Sequence, residues 1–444
     1  MGKVIEQQRI TCAIGAMQTV VAIPKAVPIL HSGPGCGSMV HGFFDRATGY
    51  AGGSTSPCTN FTEKEVVFGG LDKLRENIKN TYKVLDTELQ VVLTGCTSAI
   101  VGDDIESVVS EFVEEGKPIV HVETAGFISS NIVAHSNVVN AIIDQYVDSN
   151  QALVKAKNKK LVNIFASIPY QDQFWKENLR QFKYLLEGIG LEVNILFGPY
   201  SKGVEEWKTI PEANFNILVS PWFGKSIVEN LEKKYEQPFY QFPYLPIGAN
   251  ETRKFLDGVI KFAKEHGADL DEKKAQEFIN IENNAYYEEI DSLATFLLEF
   301  RYGLPSFTHI INDSSYVLGL AKFLLHEVGI VPKELFITDK TPEKYQEEIR
   351  RILKETSDKK DIPVTFTTSG GEAQSKIREI QHTGRGLILG SGWDKYLAKE
   401  KNYDFLSISN PSPYRLILTT GYVGYKGGLR LIEDIYNTVL ASYK

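Results

Sequence analysis

Cysteine is scarce in this chain of 444 residues: there are four, and none follows Cys96. So sparse a set excludes a disulfide-built scaffold, and reduced thiols point to a cytosolic setting. No two of them are spaced C-x-x-C, which excludes a zinc ribbon. No apolar run reaches the roughly 18 residues that a spanning helix needs, so no membrane segment is expected. The opening stretch MGKVIEQQRITCAIG lacks the charged start, apolar middle and cleavage site of a secretory leader. Cytoplasm is the expected location. A basic excess is missing as well. The formal charge is −8, which argues against a general nucleic-acid or anionic-membrane binder. The stretch GYVGYKGG (421–428) lacks the G-K-[ST] ending of a phosphate loop, and no G-x-G-x-x-G follows a first strand. Short repeats and low-complexity tracts are absent from the sequence too.

What is present is an ordinary globular composition, 43% hydrophobic and 23% charged, in a chain too long for one core. The runs LVNIFAS, LEVNILFG, FNILVSPW and PFYQF read as buried strands, and the stretches between them have helical spacing. The same rhythm returns after Leu304 with THIIND, ELFIT, IPVTFTTS, GLILGSG and FLSIS. A further unit surrounds LQVVLTG and PIVHVE near the front. Strand–helix alternation predicts an α/β protein with mainly parallel sheets. Three Rossmann-like domains are expected, at 1–155, 156–300 and 301–444, with a long helical connection over about 266–302.

The cysteines fall in glycine-rich contexts. Cys12 lies in ITCAIGAMQ, read as a turn before VVAIP. Cys36 lies in HSGPGCGSM after the strand-like PILH, and Cys96 in LTGCTSAIVGDD at the end of LQVVLTG. Loops at the carboxyl ends of parallel strands converge on one edge, where ligands bind. Glycines there let backbone amides approach a bulky anionic cluster. Buried structural thiols remain the alternative. Cubane clusters normally take four thiolates, so three from one chain point to a cluster completed by a second chain. Cys58, in GSTSPCTNFTEKE, reads as a non-ligand thiol. His31 and His41 flank Cys36 and read as locally hydrogen-bonded rather than as ligands. Phe43, Phe44 and Tyr50 read as packing nearby. The GDD run (102–104) reads as a helix cap rather than a metal site. His309 and His326 read as core histidines.

The order Cys12, GPGC around Cys36, TEKEVVFGG (62–70) and TGC…GDD around Cys96 resembles the component 1 proteins of nitrogenase and their relatives. GIGLEVNILFG, LPIGANETRKFL and GSGWDKY…TTGYVGYKGGLRLIEDI extend the resemblance along the chain, towards the β-type subunit. In that family three cysteines in these contexts hold one half of the P-cluster, an iron–sulfur cluster at the α–β interface. The resemblance thus implies ligands at Cys12, Cys36 and Cys96, and leaves Cys58 out. Departures are also legible. The α-type subunit's cofactor needs a cysteine in mid-chain and a histidine near the end, whereas here no cysteine follows Cys96 and no histidine follows His382. Where the β subunit has a serine able to join the cluster, ETAGFISS places Gly126.

GPGCG and NFTEKEVVFGG are closer to α-type wording, so the resemblance implies a divergent β-type subunit in an α2β2 assembly with an α-like partner. A homodimeric ATP-dependent [4Fe–4S] reductase would deliver electrons, and the cluster would relay them to a substrate site on the partner. Alternatives within the family are a scaffold for metallocofactor assembly and a homodimeric tetrapyrrole-reducing relative. Outside it stands a metal-free α/β ligand-binding protein.

Overall fold

Short apolar runs bounded by turns and long amphipathic stretches dictate parallel sheets covered by helices, and three such sheets form. The computed structural model describes residues 12–39, 56–128, 130–153, 156–300, 303–357 and 361–442, with Cys12 and 151–153 described in backbone only. The first sheet holds β1 (Ala26–His31), β2 (Leu89–Thr94) and β3 (Ile119–Glu123) in that order. The second holds β4 (Asn158–Phe165), β5 (Glu192–Asn194), β6 (Ala213–Val219) and β7 (Phe239–Phe242), ordered β5-β4-β6-β7. The third holds β8 (Phe307–Asn312), β9 (Val331–Ile337), β10 (Val364–Phe366), β11 (Gly386–Gly390) and β12 (Asp404–Ser407). Its order is β10-β9-β8-β11-β12. Every strand pairing is parallel. The α/β reading with mainly parallel sheets is therefore right.

Burial explains the strand sequences. β2 is the middle strand of its sheet and is buried at all six positions of LQVVLT, so it shows no alternation. Leu74 and Ile78 on the helix Leu71–Val84 pack with Val108 and Phe112 of the helix Ile105–Glu114 over Ile29 and Val92. A larger contiguous core reaches Val91 in the first sheet, Val162 in the second and Ile310 in the third. Trp207 is completely buried in it, edge-on to Phe197, with Nε1 donating to the Leu196 carbonyl at 3.2 Å. Trp207→Ala is expected to cost about 3–5 kcal/mol. Chemical denaturation checks this, and a loss near that of a surface change would refute the packing account.

One local expectation is corrected. ITCAIGAMQ is not a turn before a strand: Cys12–Val21 is a helix, and VVAIP is its end plus the turn into β1. Ala13, Ala16, Met17 and Val20 recur at helical spacing and all are buried. Gly15 looks like punctuation but marks a close helix crossing. A Cβ there would lie 2.5 Å from the Asn131 side chain on the helix Asn131–Ala141. The long helical connection does form, as Glu272–Phe300.

Candidate functional site

Two of the four cysteines sit at the carboxyl edge of the first sheet, where neighbouring parallel strands release their chains into loops. β1 ends at His31, and five residues later Cys36 is exposed, its amide donating to the Gly33 carbonyl at 3.2 Å. β2 ends at Thr94, and half-buried Cys96 opens the helix Cys96–Val101. The two loops are bolted together through the His31 carbonyl, which accepts from the Gly95 amide at 3.0 Å and from Ser98 Oγ at 2.6 Å. Gly95 is required for this approach, because a Cβ there would lie 2.2 Å from Ser32 Oγ. A third loop, after β3, brings the Gly126 amide to 3.2 Å from Cys96 Sγ. That amide can stabilise a thiolate. Cys12 starts its helix, and its side chain lies outside the described residues.

Cys58 stands beside them. Its segment runs along β1, with Leu30 donating to the Pro57 carbonyl and Thr59 to the Leu30 carbonyl. The Cys58 thiol faces inward, 3.5 Å from the Ser32 carbonyl and 3.7 Å from that of Gly33. Burial, followed by the nearness of Cys36, pushes its pKa up.

The acidic pair after Cys96 divides its work. Asp104 caps the next helix, accepting from the Ser107 amide at 3.1 Å, as the GDD reading predicts. Asp103 turns inward and accepts from His31 Nε2 at 3.0 Å and from the Gly70 amide at 3.0 and 3.1 Å. It thereby ties β1, the TEKEVVFGG segment and the Cys96 loop together. His31 is fully buried, edge-on to Phe61 at 4.8 Å. Burial lowers its pKa, outweighing the pull of Asp103. The hydrogen-bonded role read for His31 is thus observed, and its other nitrogen, Nδ1, has no protein partner. The TEKE run is a capping box: Glu65 accepts from the Thr62 amide and hydroxyl and pairs with Lys73 at 2.8 Å. His41, Phe43, Phe44 and Tyr50 fall outside the described residues.

The donors suit a soft iron–sulfur group in kind: the sulfurs of Cys36 and Cys96 at one sheet edge, with the Gly126 amide aimed at that of Cys96. Among the described residues, Cβ atoms added at Gly33 or Gly35 would meet nothing within 4 Å. Among the described residues no three His, Cys, Asp or Glu side chains converge to hold a metal ion. Apolar side chains crowd this edge without cover. Phe68 is 80% exposed, Ile100 75%, Val67 71% and Phe127, next to Gly126, 64%.

The second and third sheets offer a different crevice, at the carboxyl ends of β4, β6 and β8. Their strand orders reverse at β4/β6 and β8/β11, the usual place for a ligand in open α/β sheets. Here it is filled. Tyr316, Phe223, Leu245 and Asp172 leave a cavity of about 10 Å³, room for one water. Asp172 accepts from Tyr316 at 2.8 Å, Asn178 at 3.0 Å and the Phe174 amide at 2.8 Å. His309 lies buried on β8, stacked on His382 at 5.6 Å, with Nδ1 lacking a protein partner. His326 Nε2 contacts the Thr356 carbonyl at 2.7 Å. His309 is a core histidine as expected, whereas His326 is exposed, on the turn that ends its helix, and that expectation is corrected. Among the described residues no helix is long and apolar enough to cross a membrane.

Asp103 and the Gly126 amide are site features that the sequence did not disclose by themselves. The one available signal was that tandem acids follow Gly102 while a single acid suffices for the cap.

Comparisons with known proteins place this arrangement. Residues 11–440 match the family model for nitrogenase component 1 type oxidoreductases. The nitrogenase molybdenum-iron protein beta chain of Clostridium pasteurianum is 25% identical, over 97% of this chain and 92% of its own. That of Methanococcus maripaludis is 24% identical, over 98% and 94%. A solved structure of nitrogenase Cp1 at pH 6.5 superposes with a TM-score of 0.77 at 22% identity, covering 99% of this chain and 94% of that one. Cys36 and Cys96 thus stand at the edge of the first sheet in a fold shared along nearly the whole chain, which belongs to the nitrogenase component 1 type oxidoreductase family.

Proposed function

We propose that this chain is the β-type subunit of a nitrogenase-like reductase. Cys12, Cys36 and Cys96 supply one half of the thiolate shell of a P-cluster-like iron–sulfur cluster, and an α-like partner supplies the other. The observation that carries this reading is the open cysteine edge. Cys36 and Cys96 are presented beside uncovered Phe68, Ile100, Val67 and Phe127. An apolar face of that kind on a soluble chain marks a surface that another chain covers. When bound, such a cluster supplies one-electron transfer at low potential.

This chain's own residues set the surroundings. The Gly126 amide stabilises charge on Cys96 sulfur, and the Asp103 bonds hold the two cysteine loops in register. Because residue 126 is glycine, no side-chain hydroxyl stands there to exchange with a sulfur ligand on oxidation. In this reading the chain relays electrons, and the substrate site lies on the partner. Electrons would come from a homodimeric ATP-dependent [4Fe–4S] reductase that docks transiently, within an α2β2 assembly.

The interface is tested by Val67→Glu and Phe68→Glu. Both side chains are mostly exposed in this chain, so its own melting temperature is expected to hold. Co-purification with the partner and the iron and acid-labile sulfide of the anaerobic complex are expected to fall together, by about tenfold or more. Full iron content with partner binding unchanged would sink the interfacial assignment.

A further inference from the structure

A cleft of about 390 Å³ opens between the first turns of the helices Trp175–Gly188 and Gly424–Ser442, lined by residues of neither cysteine loop. Its size is that of a small-molecule site. Its charge runs against the rest of the molecule. The chain carries −8 overall, whereas Arg180, Lys426 and Arg430 meet in this cleft against the single carboxylate of Glu177.

That carboxylate is already occupied. Glu177 accepts from Gln181 Nε2 at 2.8 Å and from Arg180 at 3.4 Å. Two of the cations are held in place from outside the cleft. Arg430 is anchored by Asp434 at 3.0 Å and by Glu433 at 3.5 Å, and Arg180 lies over the Tyr200 ring at 5.5 Å. The remaining donors are unused. Neither the Lys426 ammonium nor the hydroxyls of Thr419 and Thr420 bond to protein groups among the described residues, yet all three line one cavity.

The wall that carries the threonines is rigid. The Tyr422 amide donates to Asn178 Oδ1 at 3.0 Å, and a Cβ on Gly421 would lie 2.9 Å from that oxygen. Fixed guanidinium groups, a free ammonium and free hydroxyls match a ligand bearing several terminal oxygens. A nucleoside triphosphate with its metal fits poorly, because GYVGYKGG is no phosphate loop and Glu177 is engaged.

We propose that this cleft binds a small multivalent oxyanion of the phosphate-ester or polycarboxylate type. The assignment stands independently of the cluster at the other site. Isothermal titration calorimetry of the full chain, with any partner that co-purifies, tests it with pyrophosphate and with propane-1,2,3-tricarboxylate as probes. Saturable heat with at least one probe is expected, weakening as salt rises. Pyrophosphate alone would identify the phosphate class, and the tricarboxylate alone the polycarboxylate class. Lys426→Glu and Arg180→Gln are each expected to weaken binding by about tenfold or more. Lys426 is exposed, so the melting temperature of its variant without ligand is expected to match the parent. No saturable heat with either probe, or heat that survives both substitutions, would overturn the proposal.

Discussion

Cys96→Ala is expected to strip most of the iron and acid-labile sulfide from the anaerobically purified complex, whereas Cys58→Ala leaves them close to the parent level. The contrast follows from where the two sulfurs point. Cys96 stands at the head of its helix on the open edge, with the Gly126 amide 3.2 Å from the sulfur. Cys58 also accepts from a backbone amide, that of Asn60 at 3.5 Å, but its thiol is turned towards the carbonyl oxygens of Ser32 and Gly33. Loss of one thiolate leaves an iron with a weaker ligand, and changes even in groups beyond the direct ligands cost roughly 10–100-fold in metal affinity. Cys36→Ala and Cys12→Ala are expected to behave like Cys96→Ala. Iron and sulfide analysis beside the visible spectrum gives the answer. Equal iron in all four variants would refute the ligand assignment, and loss on Cys58→Ala alone would move the site inward.

Acid should weaken the fold well before the carboxylates titrate. Burial holds the His135 pKa down to about 3, and burial followed by the nearness of His382 and Lys401 holds that of His309 at about 4. The His135 ring contacts Thr19 Oγ1 at 2.9 Å inside the core. A histidine whose folded pKa is depressed contributes its full stability above the unfolded value of about 6.5, and loses it as pH falls towards the folded value. Between pH 7 and pH 5 each of the two is expected to cost about 2 kcal/mol, together about 4. Buried Asp172 and Asp394, whose pKa values burial raises, act in the opposite sense. The diagnostic quantity is therefore the difference from variants. Denaturant unfolding of His135→Gln and His309→Gln at both pH values is expected to show each lacking its share of the acid loss. A pH dependence equal to the parent's in both variants would show that neither ring resists protonation.

The sheets were legible in the sequence because parallel strands buried on both faces are written as unbroken apolar runs. LQVVLT and FTHIIN are buried at every position. What failed was the reading of small residues. ITCAIGAMQ has the glycine and short side chains of a turn, yet Ala and Met are strong helix formers, and Gly15 serves a crossing with a segment more than a hundred positions away. Distance along the chain hid other features too. The helix Gly248–Glu265 begins where Glu327 accepts from the Ala249 and Asn250 amides, both at 3.0 Å, and nothing near Gly248 announces that cap. Within the site, the positions of Cys36 and Cys96 after their strands could be read from pattern. The Gly126 amide could not, since a backbone donor leaves no trace in residue type. The inward turn of Asp103 was masked by its neighbour Asp104, which answers to the same helix-cap signature.

Asp103 has a consequence for the order in which the proposed site would be assembled. One buried carboxylate receives His31 and Gly70, while the carbonyl of His31 receives Gly95 and Ser98. The strand ends from which the Cys36 and Cys96 loops leave are therefore fixed when the chain folds, before any ligand binds. On the proposed reading, capture of a cluster would resemble docking onto a preformed template. The same stiffness would keep the surroundings still if the charge there changed by one electron, so little of the driving force would be dissipated in rearranging protein.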